Sequence, residues 1–307
     1  MSRGFINSVT SLLVVSVLAA CANKQSSHQV SDQTRRIDLY RTDIPGALPG
    51  GLESIRDPKA ENTFIKGVVK PELTIYPAQG ENKKTAIVIC PGGGYSGVSI
   101  VHEGSKVAQR LAQHGYTSVV LKYRMPQAET MQDKRFGPLQ DAQTALAWVH
   151  QNKQDLKVER VGIMGFSAGG HLAATAAVHA SDPVLINTKS SEIKADFQIL
   201  IYPVISMHSE ITHQGSRNNL IGPHLYPEDV EYFSAEKNVS EKTPPAFIVH
   251  ATDDKAVPVE NSLVYYHALK QKGVDVQLLI LPTGGHGFSM QHPFDWFDSL
   301  TKWLQLN

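Results

Sequence analysis

Seven short apolar runs constrain this chain's fold more than any other feature. They are Leu73–Tyr76, Ala86–Cys90, Ser118–Tyr123, Val161–Phe166, Phe197–Tyr202, Phe247–His250 and Val276–Leu281. Several are continuously apolar instead of alternating, the pattern of parallel strands buried on both faces. Stretches with helical spacing lie between them. In Asp141–Gln151, residues Ala142, Ala145, Leu146 and Val149 share one helix face. Ser105–His114 groups Val107, Ala108, Leu111 and Ala112 and stops before Gly115, a C-cap residue type. Ala168–His179, Glu260–Lys270 and Phe294–Leu304 complete the series. This alternation predicts an α/β fold with a mainly parallel, doubly wound sheet and helices on both faces. His208–Pro245 breaks the rhythm. It is polar and interrupted by Gly215, Gly222, Pro223, Pro227, Pro244 and Pro245. It reads as an insertion over the sheet with a short helix near Glu228–Phe233. Such sheets bind ligands beyond the carboxyl ends of their strands, so the insertion is expected to wall the pocket.

Composition narrows the function classes. A chain of 307 residues with 41% hydrophobic residues can bury a large core. Lys+Arg and Asp+Glu both number 29. That balance argues against a nucleic-acid partner, which would call for a basic surplus. Two cysteines are too few for a disulfide scaffold or a four-cysteine zinc site. Cys90, at the end of an apolar run, reads as a small buried hydrophobe.

The N-terminus carries an address. Arg3 supplies a positive start, and an apolar stretch runs from Val9 to Ala20. It is too short to span a membrane and has the proportions of a signal peptide. Its end, Leu18-Ala19-Ala20-Cys21, resembles a bacterial lipobox, in which Cys21 becomes the lipidated first residue. The alternative is a plain secretory signal cut near Ala20, with Cys21 incidental. The lipobox reading gives a signal peptide over residues 1–20, a polar tether over 21–35 and a catalytic domain over 36–307. It also implies an exported protein of the bacterial cell envelope that meets the membrane through its lipid anchor only.

The chemistry begins at Gly165-Phe166-Ser167-Ala168-Gly169, a G-x-S-x-G between a strand and a helix. That is the context of a nucleophile elbow, where small neighbours permit a tight turn. A serine nucleophile needs a base, and the base needs an orienting acid, in the chain order Ser, Asp/Glu, His. Asp253 and Asp254 follow the strand Phe247–His250, and His286 follows the strand that ends at Leu281. All stand just beyond strand ends, so their loops can converge. Oxyanion donors are expected from the amide of Ala168 and from the glycine loop Pro91-Gly92-Gly93-Gly94-Tyr95.

These segments, with His102-Glu103-Gly104, Gly170-His171-Leu172, Thr243-Pro244-Pro245, Asn261-Ser262 and Gly285-His286-Gly287-Phe288, resemble the α/β-hydrolase superfamily. Within it the chain is most similar to bacterial acetyl esterases acting on decorated plant polysaccharides, some of them labelled xylanases. The resemblance runs from about Lys70 to the C-terminus. It implies Ser167 as nucleophile, His286 as general base, and Gly93, Gly94 and Ala168 as oxyanion donors. The family's H-x-x-x-D-x-x-V-P pattern, matched by His250, Val257 and Pro258, selects Asp254 as the acid. No metal or organic cofactor is implied. The substrate class is a small-molecule or oligosaccharide ester, acetylated or feruloylated. Pro91 stands where hormone-sensitive-lipase-like esterases carry histidine, and Phe166 where they carry an acid. Both departures point away from that branch.

Rival readings fail on specific residues. Gly92–Gly97 spells a dinucleotide fingerprint, but no carboxylate follows about twenty residues on. Val98 stands where a P-loop needs lysine, and Lys106 where a zinc-protease motif needs its second histidine. A peptidase or amidase on the same fold, and a non-catalytic surface glycan-binding lipoprotein, are the alternatives to an esterase. His171 reads as a helix-packing residue and His250 as a hydrogen-bonded strand end. His102 and Glu103 read as groups that hold the oxyanion loop, the alternative being that they approach the site from it. Asp141 is expected to cap its helix or pair with Arg124 or Arg135.

Overall fold

The computed structural model describes Met1 and residues 33–56, 63–185, 188–224 and 226–306. The expected signal peptide, Cys21 and nearly all of the tether lie outside the described residues. The strands, in chain order, are β1 (Arg35–Asp38), β2 (Ser54–Arg56), β3 (Phe64–Lys66), β4 (Glu72–Tyr76), β5 (Thr85–Cys90), β6 (Gly97–Val98), β7 (Thr117–Lys122), β8 (Arg160–Phe166), β9 (Phe197–Ile201), β10 (Ala246–Ala251) and β11 (Val276–Leu281). The helices are α1 (Lys106–Gln113), α2 (Gly137–Gln151), α3 (Lys153–Leu156), α4 (Ser167–Val178), α5 (Ser190–Ile193), α6 (Gln214–Ile221), α7 (Pro227–Phe233), α8 (Glu260–Gln271) and α9 (Trp296–Leu306). The described residues from 33 onward belong to one compact unit.

The main sheet has eight strands in the order β1-β4-β7-β5-β8-β9-β10-β11. All neighbours from β7 to β11 pair in parallel, and β4 is antiparallel to both β7 and β1. This is the doubly wound α/β architecture that the apolar runs predict. The runs are unbroken because each strand feeds two cores. In β5, Ala86, Val88 and Cys90 join one apolar layer, while Ile87 and Ile89 join the other. In β10 the split is Ala246 and Ile248 against Phe247, Val249 and Ala251. The first layer is covered by α2, α4 and α8, through Leu146, Leu172 and Leu269 among others. The second is covered by α1 and α9, through Leu111, Trp296, Leu300 and Trp303. Full burial of each such side chain contributes about 1.5–3 kcal/mol.

Several elements differ from expectation. β1 begins at Arg35, inside the span assigned to the tether, and pairs with β4. A second sheet of β2, β3 and β6 lies outside the expected series. Its strands have only two or three residues each, too few to register as periodicity. The insertion holds α6 as well as the expected helix, observed as α7. Helix α2 starts four residues early, at Gly137, with Pro138 in its first turn, where a proline's missing N–H costs nothing.

Asp141 pairs with Arg124 and not with Arg135. The Arg124 guanidinium lies 2.7 Å from Asp141, and the two side chains are 2% and 0% exposed. The Arg124 backbone N–H and the Tyr40 hydroxyl also donate to the same carboxylate. The guanidinium further donates to the carbonyls of Pro45 and Gly137. The pair therefore binds the chain before β2 and the start of α2 to the end of β7. Arg135 pairs with Asp133 and Asp229. Removing one partner of a buried pair strands the other charge, so Asp141→Ala should lower the unfolding free energy by about 3–5 kcal/mol in urea denaturation. Asp298→Ala, which breaks the exposed Lys302–Asp298 pair, should leave the same transition unmoved.

Candidate active site

Loops leaving β5, β8, β10 and β11 at their carboxyl ends carry the residues singled out by motif. Ser167 follows β8 directly and begins α4, with φ +53°. A non-glycine residue holds that left-handed conformation only where packing enforces it. Here two backbones touch. A Cβ on Gly165 would lie 2.0 Å from the Gly169 carbonyl oxygen, and one on Gly169 would lie 2.1 Å from that of Cys90. The small residues of the motif are thus the contact that lets α4 turn back against β5 and β8.

Ser167, His286 and Asp254 form a hydrogen-bonded row. His286 Nε2 is 2.8 Å from Ser167 Oγ, and His286 Nδ1 is 2.6 Å from Asp254 Oδ2. Asp254 is buried, and burial raises its pKa. Hydrogen bonds from His250, His286 and the Val257 amide outweigh that and hold the carboxyl well below the usual carboxylate range. An ionised carboxylate only accepts, so His286 Nδ1 carries the proton and Nε2 presents a lone pair to the serine hydroxyl. The row can therefore take a proton from Ser167 Oγ while Asp254 stabilises the imidazolium that results.

The acid is held from all sides. The Ala256 and Val257 amides each donate to Asp254 Oδ1 at 2.9 Å. His250 Nε2 lies 3.0 Å from the Val257 carbonyl and 3.3 Å from Asp254 Oδ2. Both are acceptors, so this nitrogen carries hydrogen, and Nδ1 accepts from the Ser262 hydroxyl at 2.7 Å. His250 is thus the hydrogen-bonded strand end expected from sequence. Asp253 acts elsewhere. Its Oδ1 accepts the Gly285 amide at 2.7 Å, tying down the loop that bears His286.

The glycine loop lies against the serine. A Cβ on Gly92 would sit 2.9 Å from Ser167 Cβ. The Gly92 amide is committed, donating to Glu103 Oε2 at 2.8 Å. Gly93 and Gly94 follow at φ +145° and +62°, with a Gly93 Cβ position 2.1 Å from the Gly97 carbonyl oxygen. Ala168 is buried in the first turn of α4.

Behind the row lies a buried polar network. Glu103 sits with His102 on a single π-helical turn, Ile100–Ser105, just before α1. Burial raises its pKa, against the Tyr202 hydroxyl, the Gly92 amide and His286. Tyr202 donates to Glu103 Oε1 at 2.7 Å and accepts the Ser289 amide at 3.1 Å. Its ring meets His286 edge-on at 4.9 Å between centroids. His102 Nε2 donates to the Gly287 carbonyl, and Ser289 Oγ donates to the His102 carbonyl. Glu103 therefore braces the glycine loop, as expected, whereas His102 braces the loop that bears His286. No motif marks Tyr202, and Asp253, a candidate acid by sequence, serves as a brace on the Gly285 amide. His171 is fully buried between the Tyr95 hydroxyl and the Phe233 carbonyl, and burial pushes its pKa down to about 4. It is a neutral packing residue. Among the described residues, no group of three or more His, Cys, Asp or Glu could hold a metal ion.

The depressed Asp254 pKa fixes a pH dependence. The unfolded carboxyl protonates near the ordinary value of about 4, while the folded one stays ionised to lower pH. The stabilisation is fully present above that value and is lost as pH falls toward the folded pKa. The unfolding free energy of the wild type minus that of Asp254→Asn should therefore shrink from about pH 5 to about pH 2. A difference that stays constant would contradict the assignment.

Known proteins place the chain. The BD-FAE family model matches residues 73–269. An acetylxylan esterase of Xylanibacter ruminicola is 37% identical over 231 residues, 72% of this chain and 45% of that protein. An endo-1,4-beta-xylanase B of Butyrivibrio fibrisolvens is 34% identical over 224 residues, 72% of this chain and 35% of that protein. The chain thus spans less than half the length of these two relatives. Among solved structures, an acetyl ester-xyloside bifunctional hydrolase from Caldicellulosiruptor lactoaceticus aligns with a TM-score of 0.72 at 33% identity, covering 88% of this chain and 95% of that one. With its α/β-hydrolase fold, this chain belongs to the BD-FAE family.

Proposed function

We propose that this protein is a serine carboxylic-ester hydrolase that removes acetyl or other short acyl groups from plant-polysaccharide sugars. The observation that carries the reading is the continuous row from Ser167 Oγ through His286 to Asp254 Oδ2, at 2.8 and 2.6 Å. The substrate class is supported by the acetylxylan esterase and acetyl ester-xyloside hydrolase relatives. In the mechanism, Ser167 Oγ attacks the ester carbonyl as its proton passes to His286 Nε2. The Gly93, Gly94 and Ala168 amides take the charge that develops on the carbonyl oxygen. Collapse of the tetrahedral intermediate breaks the bond to the sugar oxygen, which leaves with the proton from His286. Water then attacks the acyl-enzyme, losing its proton to His286; the bond to Ser167 Oγ breaks, Oγ takes that proton back, and the free acid departs. The proposal extends to the N-terminus, where Cys21 bears the lipid that anchors the protein to the cell envelope.

With 4-nitrophenyl acetate, Ser167→Ala should lose at least about 10³-fold in kcat. Wild-type-like turnover by that variant would refute the mechanism. Asp254→Asn should lose about 10⁴-fold, because the amide enforces the wrong His286 tautomer. Asp253→Asn keeps an oxygen that can accept the Gly285 amide and should cost far less; equal losses would reassign the acid. The anchor is checked by fractionating cells that express the full chain. Cys21→Ser should move the protein from the membrane to the soluble fraction, and continued membrane association would exclude lipidation.

A further inference from the structure

His213 lies in the insertion, immediately before α6, and takes no part in the row of Ser167, His286 and Asp254. Its Nδ1 accepts the Ser216 backbone amide at 3.2 Å and lies 2.8 Å from the Ser216 hydroxyl. An amide can only donate, so Nδ1 carries no hydrogen. A neutral imidazole must then carry its hydrogen on Nε2. Burial lowers the His213 pKa, and the nearby His286 lowers it further against the opposing pull of Asp254. The cap and the electrostatics favour the same neutral tautomer. Among the described residues, Nε2 has no hydrogen-bond partner.

The position of that donor is well defined. His213 Cε1, the ring atom next to Nε2, stands 3.7 Å from where a Cβ on Gly94 would lie. Asn219 on the same helix donates Nδ2 to the Gly94 carbonyl at 2.8 Å. The Asn219 bond thus docks α6 on the glycine turn, with the His213 ring close by. His213 is half-buried there, and its Nδ1 bonds to Ser216 hold the ring in place. The acyl-transfer steps need no further proton carrier, since His286 serves both half-reactions.

We propose that His213 is a specificity-determining residue of this site, whose Nε2–H donates to a hydroxyl or ring oxygen of the sugar bearing the ester. The proposal rests on the esterase reading above. An uncharged, pre-oriented donor suits a neutral polyol, because no charge must be desolvated when the sugar arrives. A site that commits a fixed donor to a substrate oxygen also disfavours esters of alcohols lacking that oxygen.

The test compares two substrates, an acetylated xylo-oligosaccharide and 4-nitrophenyl acetate, whose leaving group has no hydroxyl to offer beyond the ester oxygen. His213→Asn keeps a side-chain oxygen where Nδ1 caps α6 and removes the donor at Nε2. The ratio of kcat/KM on the sugar to that on the aryl ester should fall about tenfold, chiefly through a higher KM for the sugar. His213→Gln, whose longer amide can present an N–H near the Nε2 position, should recover part of the ratio. An unchanged ratio in both variants would overturn the proposal. So would equal losses on both substrates carried by kcat, which would make His213 an oxyanion donor instead. Wild-type protein inactive on both esters would refute the esterase reading itself, and this proposal with it.

Discussion

The close crossing of two backbones at Gly165 and Gly169 is the constraint on which the site depends. It lets α4 begin at the very end of β8, and it forces Ser167 to the left-handed φ of +53°. Such a conformation costs of order 1–3 kcal/mol at a non-glycine residue. The burial of α4 offsets that cost, since every residue from Ser167 to Ala177 is buried. In return the Ser167 hydroxyl meets His286 Nε2 at 2.8 Å. The crossing also brings the Cys90 carbonyl against Gly169, which fixes the start of the glycine loop relative to the serine. Ser167 and the glycine loop are therefore registered by one contact between β5, β8 and α4, with no flexible side chain involved.

A sheet alone does not align His286, which hangs on a loop between β11 and α9. Its alignment comes from polar groups reaching across the sheet's carboxyl edge. Glu103 accepts from Gly92 on the oxyanion side and from Tyr202 on the histidine side, and Tyr202 in turn accepts from Ser289. Asp253 holds Gly285, and His102 holds Gly287, so the residues on both sides of His286 are tied. Apart from the exposed Asp253, these groups are buried or half-buried, where a lost partner costs more than a lost surface contact. Such a network demands that each member be satisfied. Its benefit is that the glycine loop and His286 cannot shift independently of one another.

The main strands were legible because burial on both faces leaves unbroken apolar runs, and observed and expected limits agree within a residue or two. The glycine loop, Ser167, the Asp253-Asp254 pair and His286 were legible because each follows such a run. What sequence could not show has a common physical cause. β1 reads Arg35-Arg36-Ile37-Asp38, and an exposed edge strand needs no apolar pattern. Helix α6, Gln214–Ile221, contains Gly215 and two asparagines, with few apolar side chains before its last two residues. It is held by the His213 cap and by the Asn219 bond to Gly94, not by a hydrophobic stripe. Tyr202 looks like the last residue of a strand, and its importance lies in a contact 99 positions away with Glu103. Motifs report chemistry that is local in sequence, whereas bracing groups are recognised only after the fold has brought them together.

The insertion gains its meaning from this distinction. His171 in α4 donates to the Phe233 carbonyl and accepts from Tyr95 of the glycine loop. Helix α7 is thereby tied to the same two elements that set the nucleophile, just as α6 is tied to Gly94. A wall anchored at several points on the oxyanion loop and the elbow helix keeps a defined distance from Ser167. It can therefore discriminate substrates by hydrogen-bond geometry in a way that a freely moving lid could not. The polar composition of residues 208–245, which on its face only marked a break in the α/β pattern, is what such a wall requires. Its groups cap a helix and dock on a backbone carbonyl, and apolar side chains can do neither.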